Sequence, residues 1–124
     1  MASTVTVTRD PTQLARTREW LSSELSRGRS LDVDRADMVV LMASELLTNA
    51  IVHTTSEAQL TVSIDGAGVR VAVQDHDPRP PVLQPLDVRR PRGNGLRIID
   101  AWADAWGTEP TDDGKIVWFT VSRR

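Results

Sequence analysis

Cysteine is missing from this 124-residue chain, which excludes disulfides and thiolate metal sites. Lysine is almost missing as well: of the fifteen basic residues only Lys115 is a lysine. That arginine bias fits a GC-rich genome and says little about chemistry. Excess charge of either sign is absent. A formal net charge of −2 gives no whole-surface attraction to nucleic acid or anionic lipid. No apolar run approaches about 18 residues, so no membrane span is expected. The start, MASTVTVTRD, lacks a basic stretch followed by an apolar one, so no signal peptide is expected and a cytoplasmic location is. What remains is ordinary globular material, 40% apolar and 26% charged, enough for one core and a single domain over 1–124.

Periodicity orders that material. TVTVT (4–8) alternates as a short strand. RDPTQLARTREWLSSELSRG follows with Asp10 as N-cap, Pro11 at the first helical position and Gln13 completing a capping-box pattern. A helix over 11–27 is expected, burying Leu14, Trp20, Leu21 and Leu25 and stopping at Gly28. The next segment, with Asp34 as N-cap, is apolar nearly all round and predicts a central helix over 35–53. QLTVSIDGAGVRVAVQD predicts a hairpin, in which Asp75 continues the parity of Val69, Val71 and Val73 and so sits at the rim of the core. Residues 78–94 hold five of the seven prolines and four arginines without any period; so long a loop is a functional or disordered segment. A third helix starts near Gly95, and two strands joined by TDDGK complete the order β-α-α-β-β-loop-α-β-β. The fold class is α+β: a two-layer sandwich whose antiparallel or mixed sheet is covered on one face by about three helices.

Three pieces of this scaffold carry chemistry. On the central helix, SELLTNAIVHT (44–54) spaces Glu45, Asn49 and His53 four residues apart, which stacks them along one stripe. A helix buried in a core has no structural need of such a stripe. Asp75 ends an inner strand, where a carboxylate can accept a hydrogen bond from an exocyclic amine. RGNGL (92–96) puts glycines at a helix start, where free N–H groups point outward and backbone can approach a phosphate. The Asn49 side-chain oxygen, with phosphate oxygens and waters, suits Mg²⁺. A nearby Glu45 can take a proton from a hydroxyl. Each piece alone has a plainer explanation: a helix start, a turn aspartate, a local Glu–Asn bond. RGNGL also lacks the GK[ST] ending of a P-loop.

Together, SELLTNAIVHT, VAVQDHDPRPP, RGNGLRIID and the closing WG…GKIVWFTV resemble the GHKL (Bergerat-fold) ATPases over roughly residues 10–122. They are most similar to the short anti-sigma-factor serine/threonine kinase branch, the actinomycete histidine kinase-like ATPase proteins. The resemblance implies ATP and Mg²⁺ as cofactors. It implies Glu45 as general base, Asn49 as the magnesium ligand and Asp75 as the acceptor for the adenine amine. Gly93 and Gly95 would form the phosphate turn at the base of a lid over 78–92, and Thr120 would lie near the adenine. Implied partners are a sigma factor and an anti-anti-sigma protein whose serine is phosphorylated, with a homodimer as the assembly and no direct nucleic-acid or membrane contact. One departure is plain. The family's second box, D-x-G-x-G, reads here Asp75-His76-Asp77-Pro78-Arg79, and Pro78 fixes its own φ and removes a donor.

Outside these roles the polar and aromatic residues have ordinary readings. His53 is a helix-end residue and His76 an exposed loop residue. Two histidines without cysteine leave no zinc site to argue for. Arg79, Arg89, Arg90 and Arg92 are solvated, or reach a γ-phosphate or a partner's acidic patch. The four tryptophans are core or interface anchors, not a nucleic-acid platform. Two functions compete: an ATP-dependent protein kinase that also sequesters its partner, and a non-catalytic module of the same fold that acts by sequestration alone.

Overall fold

The computed structural model describes residues 2–27, 31–52, 57–79 and 95–123. Their order is β1 (Ala2–Val7), α1 (Pro11–Arg27), α2 (Val33–Val52), β2 (Ala58–Ile64), β3 (Gly68–Asp75), α3 (Gly95–Trp102), β4 (Ala105–Pro110) and β5 (Lys115–Ser122). The five strands form one sheet in the order β1-β2-β3-β5-β4. Every pairing is antiparallel, which resolves the choice between an antiparallel and a mixed sheet. All three helices belong to one layer, and the chain is a two-layer α+β sandwich. The path from β3 through α3 to β4 passes over β5, which inserts between them.

Helix starts show where local chemistry differs from the sequence expectation. Asp10 caps α1 as expected, its carboxylate accepting from the Thr12 amide at 2.9 Å. Gln13 does not close a capping box. Its amide nitrogen donates to the Thr6 carbonyl at 2.6 Å and its carbonyl accepts from the Thr8 amide at 3.1 Å, tying α1 to the end of β1. The cap of α2 is Asp32, not Asp34: its carboxylate accepts from the Arg35 amide at 2.8 Å and its carbonyl from Ala36 at 2.9 Å. Asp34 falls in the first turn, where a negative charge suits the helix dipole.

Alternation along the strands builds the core. Val7, Leu60, Val62, Val71, Val73, Val117 and Phe119 face the helices, which answer with Leu21, Leu25, Val39, Met42, Leu47 and Ile99. The β2–β3 turn depends on Gly68, whose φ of 152° disfavours a side chain and whose Cβ would strike the Val121 carbonyl. On the sheet's other face Arg70 lies 5.3 Å from the Trp118 ring centroid. Trp20 and Trp106 pack against the core, whereas Trp102 is 64% exposed.

The central helix is not buried all round. Val33, Asp37 and Leu41 are exposed, and Glu45 and Asn49 are half-buried. These residues follow one another at four-residue steps, so they trace a slowly winding seam along α2 that the core does not cover. The polar stripe lies on that seam.

Candidate functional site

Glu45 and Gly95 meet. A Cβ built on Gly95 would lie 2.8 Å from the Cβ of Glu45 and 3.2 Å from its Oε2. The start of α3 therefore rests directly on the turn of α2 that carries Glu45, and Asn49 is one turn further along the same seam. Gly95 makes this approach possible because it has no side chain. Leu96 and Ile99 are buried and hold α3 in place. The Trp106 indole N–H donates to Asp100 at 2.9 Å, which ties the strand after the helix back to it. The start of α3, where helix geometry turns backbone N–H groups outward, is thus set beside the Glu45 carboxylate.

Asp75 sits at the end of β3 with its parity inward, next to the core, and its side chain is only 6% exposed. It does not sit alone. Lys115 Nζ lies 3.0 Å from Asp75 Oδ2 and 3.3 Å from Oδ1, and donates to the Asp77 carbonyl at 2.9 Å. The Lys115 side chain is 11% exposed. Cross-strand register places the two residues opposite each other. Gly114 lets the β4–β5 turn close on them, since a Cβ there would fall 1.9 Å from the Asp75 carbonyl oxygen.

The missing glycines of the second box have a structural replacement. The Asp77 amide donates to Asp75 Oδ1 at 2.9 Å, and the Arg79 amide donates to Asp77 Oδ1 at 3.0 Å. Two successive Asx turns therefore bend the chain, with carboxylate oxygens standing in for backbone carbonyls. The Arg79 guanidinium also binds the Asp77 carboxylate, at 2.7 Å for its closest contact. That side-chain bond, and then the Arg79 amide, hold the Asp77 carboxyl well below the usual carboxylate range. The same bond raises the Arg79 guanidinium further above its ordinary value. His76 is exposed, and its Nδ1 is 2.9 Å from Asp113 in the β4–β5 turn.

The structure brings Glu45 and Gly95 together, with Asn49 one turn further along α2, and places Asp75 on the inner side of the same sandwich. It does not bring Thr120 to them. Val117, Phe119 and Val121 point to the helices, so Thr120 faces the opposite side of the sheet, in register with Arg70. Gly93, His53 and residues 80–94, with most of the expected lid, lie outside the described residues. Lys115 was not anticipated. Its signals were its place directly after a turn glycine and its shared parity with Val117 and Phe119. Among the described residues no group of three or more His, Cys, Asp or Glu could hold a metal ion. Magnesium held through Asn49 would draw its other ligands from phosphate and water.

A two-layer α+β sandwich of this topology is consistent with the fold of an ATPase domain, and similarity to known proteins names the family. Residues 7–121 match the histidine kinase-like ATPase domain family, and the chain belongs to it. An uncharacterized protein of Streptomyces coelicolor is 41% identical over 80 residues, which is 60% of this chain and 75% of that relative. Family membership implies ATP as the ligand. No helix among the described residues is long and apolar enough to cross a membrane.

Proposed function

We propose that this chain is an ATP- and Mg²⁺-dependent protein serine kinase that phosphorylates an anti-anti-sigma antagonist and sequesters a sigma factor, working as an isologous homodimer in the cytoplasm. The observation that carries the reading is the contact between Glu45 and Gly95. It sets a carboxylate at the mouth of a helix start that suits phosphate, one turn from Asn49. In this reading Glu45 takes the proton of the substrate serine hydroxyl. Asn49 holds the metal through its side-chain oxygen. The backbone amides of the α3 start orient the phosphates. Asp75 accepts a hydrogen bond from the adenine amine. ATP supplies the phosphoryl group, and the metal neutralises charge on the phosphates.

The test is phosphotransfer with labelled ATP and an anti-anti-sigma protein. A serine of that protein should become labelled, and Glu45→Ala should abolish the labelling while ATP binding persists. Normal labelling by Glu45→Ala would overturn the assignment of the base. The second reading, sequestration without catalysis, is supported by the altered second box, whose Asx turns leave Asp77 and Arg79 where the family carries flexible glycine. Calorimetry separates the two: neither heat nor a thermal shift with ATP or ADP and Mg²⁺ would favour the binding module.

A further inference from the structure

We infer that Lys115 is a second reader of the purine: its ammonium donates to the ring N1 acceptor while Asp75 accepts from the 6-amino group. This inference rests on the nucleotide reading above and extends it to a residue with no assigned role.

The argument begins with unspent hydrogen-bonding capacity. An ammonium has three donors and no acceptor. Lys115 Nζ directs one at the Asp75 carboxylate, shared between Oδ2 at 3.0 Å and Oδ1 at 3.3 Å, and one at the Asp77 carbonyl. The third has no partner among the described residues, although the side chain is almost wholly buried. Asp75 has the complementary surplus. Its Oδ1 accepts from the Asp77 amide and, at longer range, from Lys115, while Oδ2 accepts from Lys115 alone. A carboxylate oxygen has two lone pairs, so Oδ2 has room for one more donor. The pair therefore offers a spare donor beside a spare acceptor on the inner side of β3 and β5. The edge of adenine bearing the 6-amino group offers the reverse, an N–H donor beside the N1 acceptor.

Position is fixed as well as capacity. Lys115 lies opposite Asp75 in the β3–β5 ladder, shares the inward parity of Val117, and follows the glycine that lets the turn touch the Asp75 backbone. A cation set so firmly is a rigid reader. Asp75 alone would sense only the amine. With Lys115 the pocket also penalises a base without a ring acceptor at position 1, because the ammonium proton would then stay buried and unpaired.

The decisive experiment is calorimetric titration of the full chain with ATP and with 1-deaza-ATP, in which carbon replaces N1. The wild type should bind ATP about 10- to 100-fold more tightly, and Lys115→Met should bind the two nucleotides alike. Equal binding of both by the wild type would overturn the role of Lys115 and leave the nucleotide reading intact. Failure of the wild type to bind ATP, ADP or the analogue would overturn both. Should Lys115→Met not fold, the wild-type ratio still decides. Lys115→Gln, which keeps a neutral donor, should retain part of the preference, and an undiminished wild-type preference in Lys115→Met would overturn the inference.

Discussion

Gly95 abuts Glu45 so closely that a side chain at Gly95 would put its Cβ 2.8 Å from the Cβ of Glu45. Helix propensity alone favours alanine over glycine within a helix, so the contact sets the sign of a substitution here. Gly95→Ala should lower stability by about 1–3 kcal/mol through overpacking and displace the carboxylate, lowering phosphotransfer more than ATP binding. The nearest clash is with Cβ itself. Glu45→Ala should therefore leave the penalty in place, and Glu45→Gly should relieve it. Thermal unfolding of the single and double variants checks this.

Asp75 and Lys115 neutralise each other in a nearly dry setting, so the cost of a change depends on what remains. Asp75→Ala leaves a buried ammonium and should destabilise by about 3–5 kcal/mol. Asp75→Asn keeps a carbonyl acceptor and should cost less in stability, yet weaken nucleotide binding by about 1–3 kcal/mol through a donor facing a donor. Urea unfolding paired with calorimetry separates the two effects. Equal stability of the two variants would show that the ammonium finds another partner.

Gly114 is where the β4–β5 turn touches the β3 backbone. In Gly114→Ala the new Cβ would meet the Asp75 carbonyl oxygen at 1.9 Å, and backbone cannot rotate aside as a side chain does. The end of the β3–β5 ladder must open, and Lys115 moves with it. Loss of stability of at least about 1–3 kcal/mol should accompany loss of nucleotide affinity. Amide exchange should localise the opening to Asp75 and Lys115.

The Asp77–Arg79 pair gives a pH signature. The folded carboxyl lies below its ordinary value of 3.8, so the unfolded chain binds the proton more readily. Its contribution to stability is present above that value and is lost as pH falls through the lower folded one. Arg79 is three-quarters exposed, so the contribution is small. In carboxyl-detected NMR, Asp77 should stay ionised below pH 3.8, and Arg79→Ala should return it to the ordinary range. An unchanged titration in that variant would remove Arg79 as the cause.

Much of this architecture was legible along the chain because its signals are local. The 3.6-residue period of the helices and the alternation in LTVSI and VRVAV require no knowledge of neighbours. The Glu45 and Asn49 spacing could likewise be seen on one helix. Lys115 could not be connected to Asp75 in that way, since forty residues separate them and only the register of β3 with β5 makes them neighbours. Thr120 failed for the same reason: its side of the sheet follows from that register. The cap of α2 was displaced by two residues because Asp32 and Asp34 are equal candidates in sequence, and only backbone geometry chooses between them. The Asx turns at 75–79 are a different matter. The pattern D-x-D-P-R carries their chemistry, but comparison with a glycine box directs attention to what is lost.

The insertion of β5 between β3 and β4 has a consequence for biosynthesis. Translation delivers the strand that completes the sheet only after both of its neighbours have left the ribosome. Until then β4 has no hydrogen-bonding partner, and the carboxylate at the end of β3 has no counter-ion. The nascent polypeptide thus carries an unfinished sheet until β5 has been made, and Asp75 and Lys115 become neighbours only then.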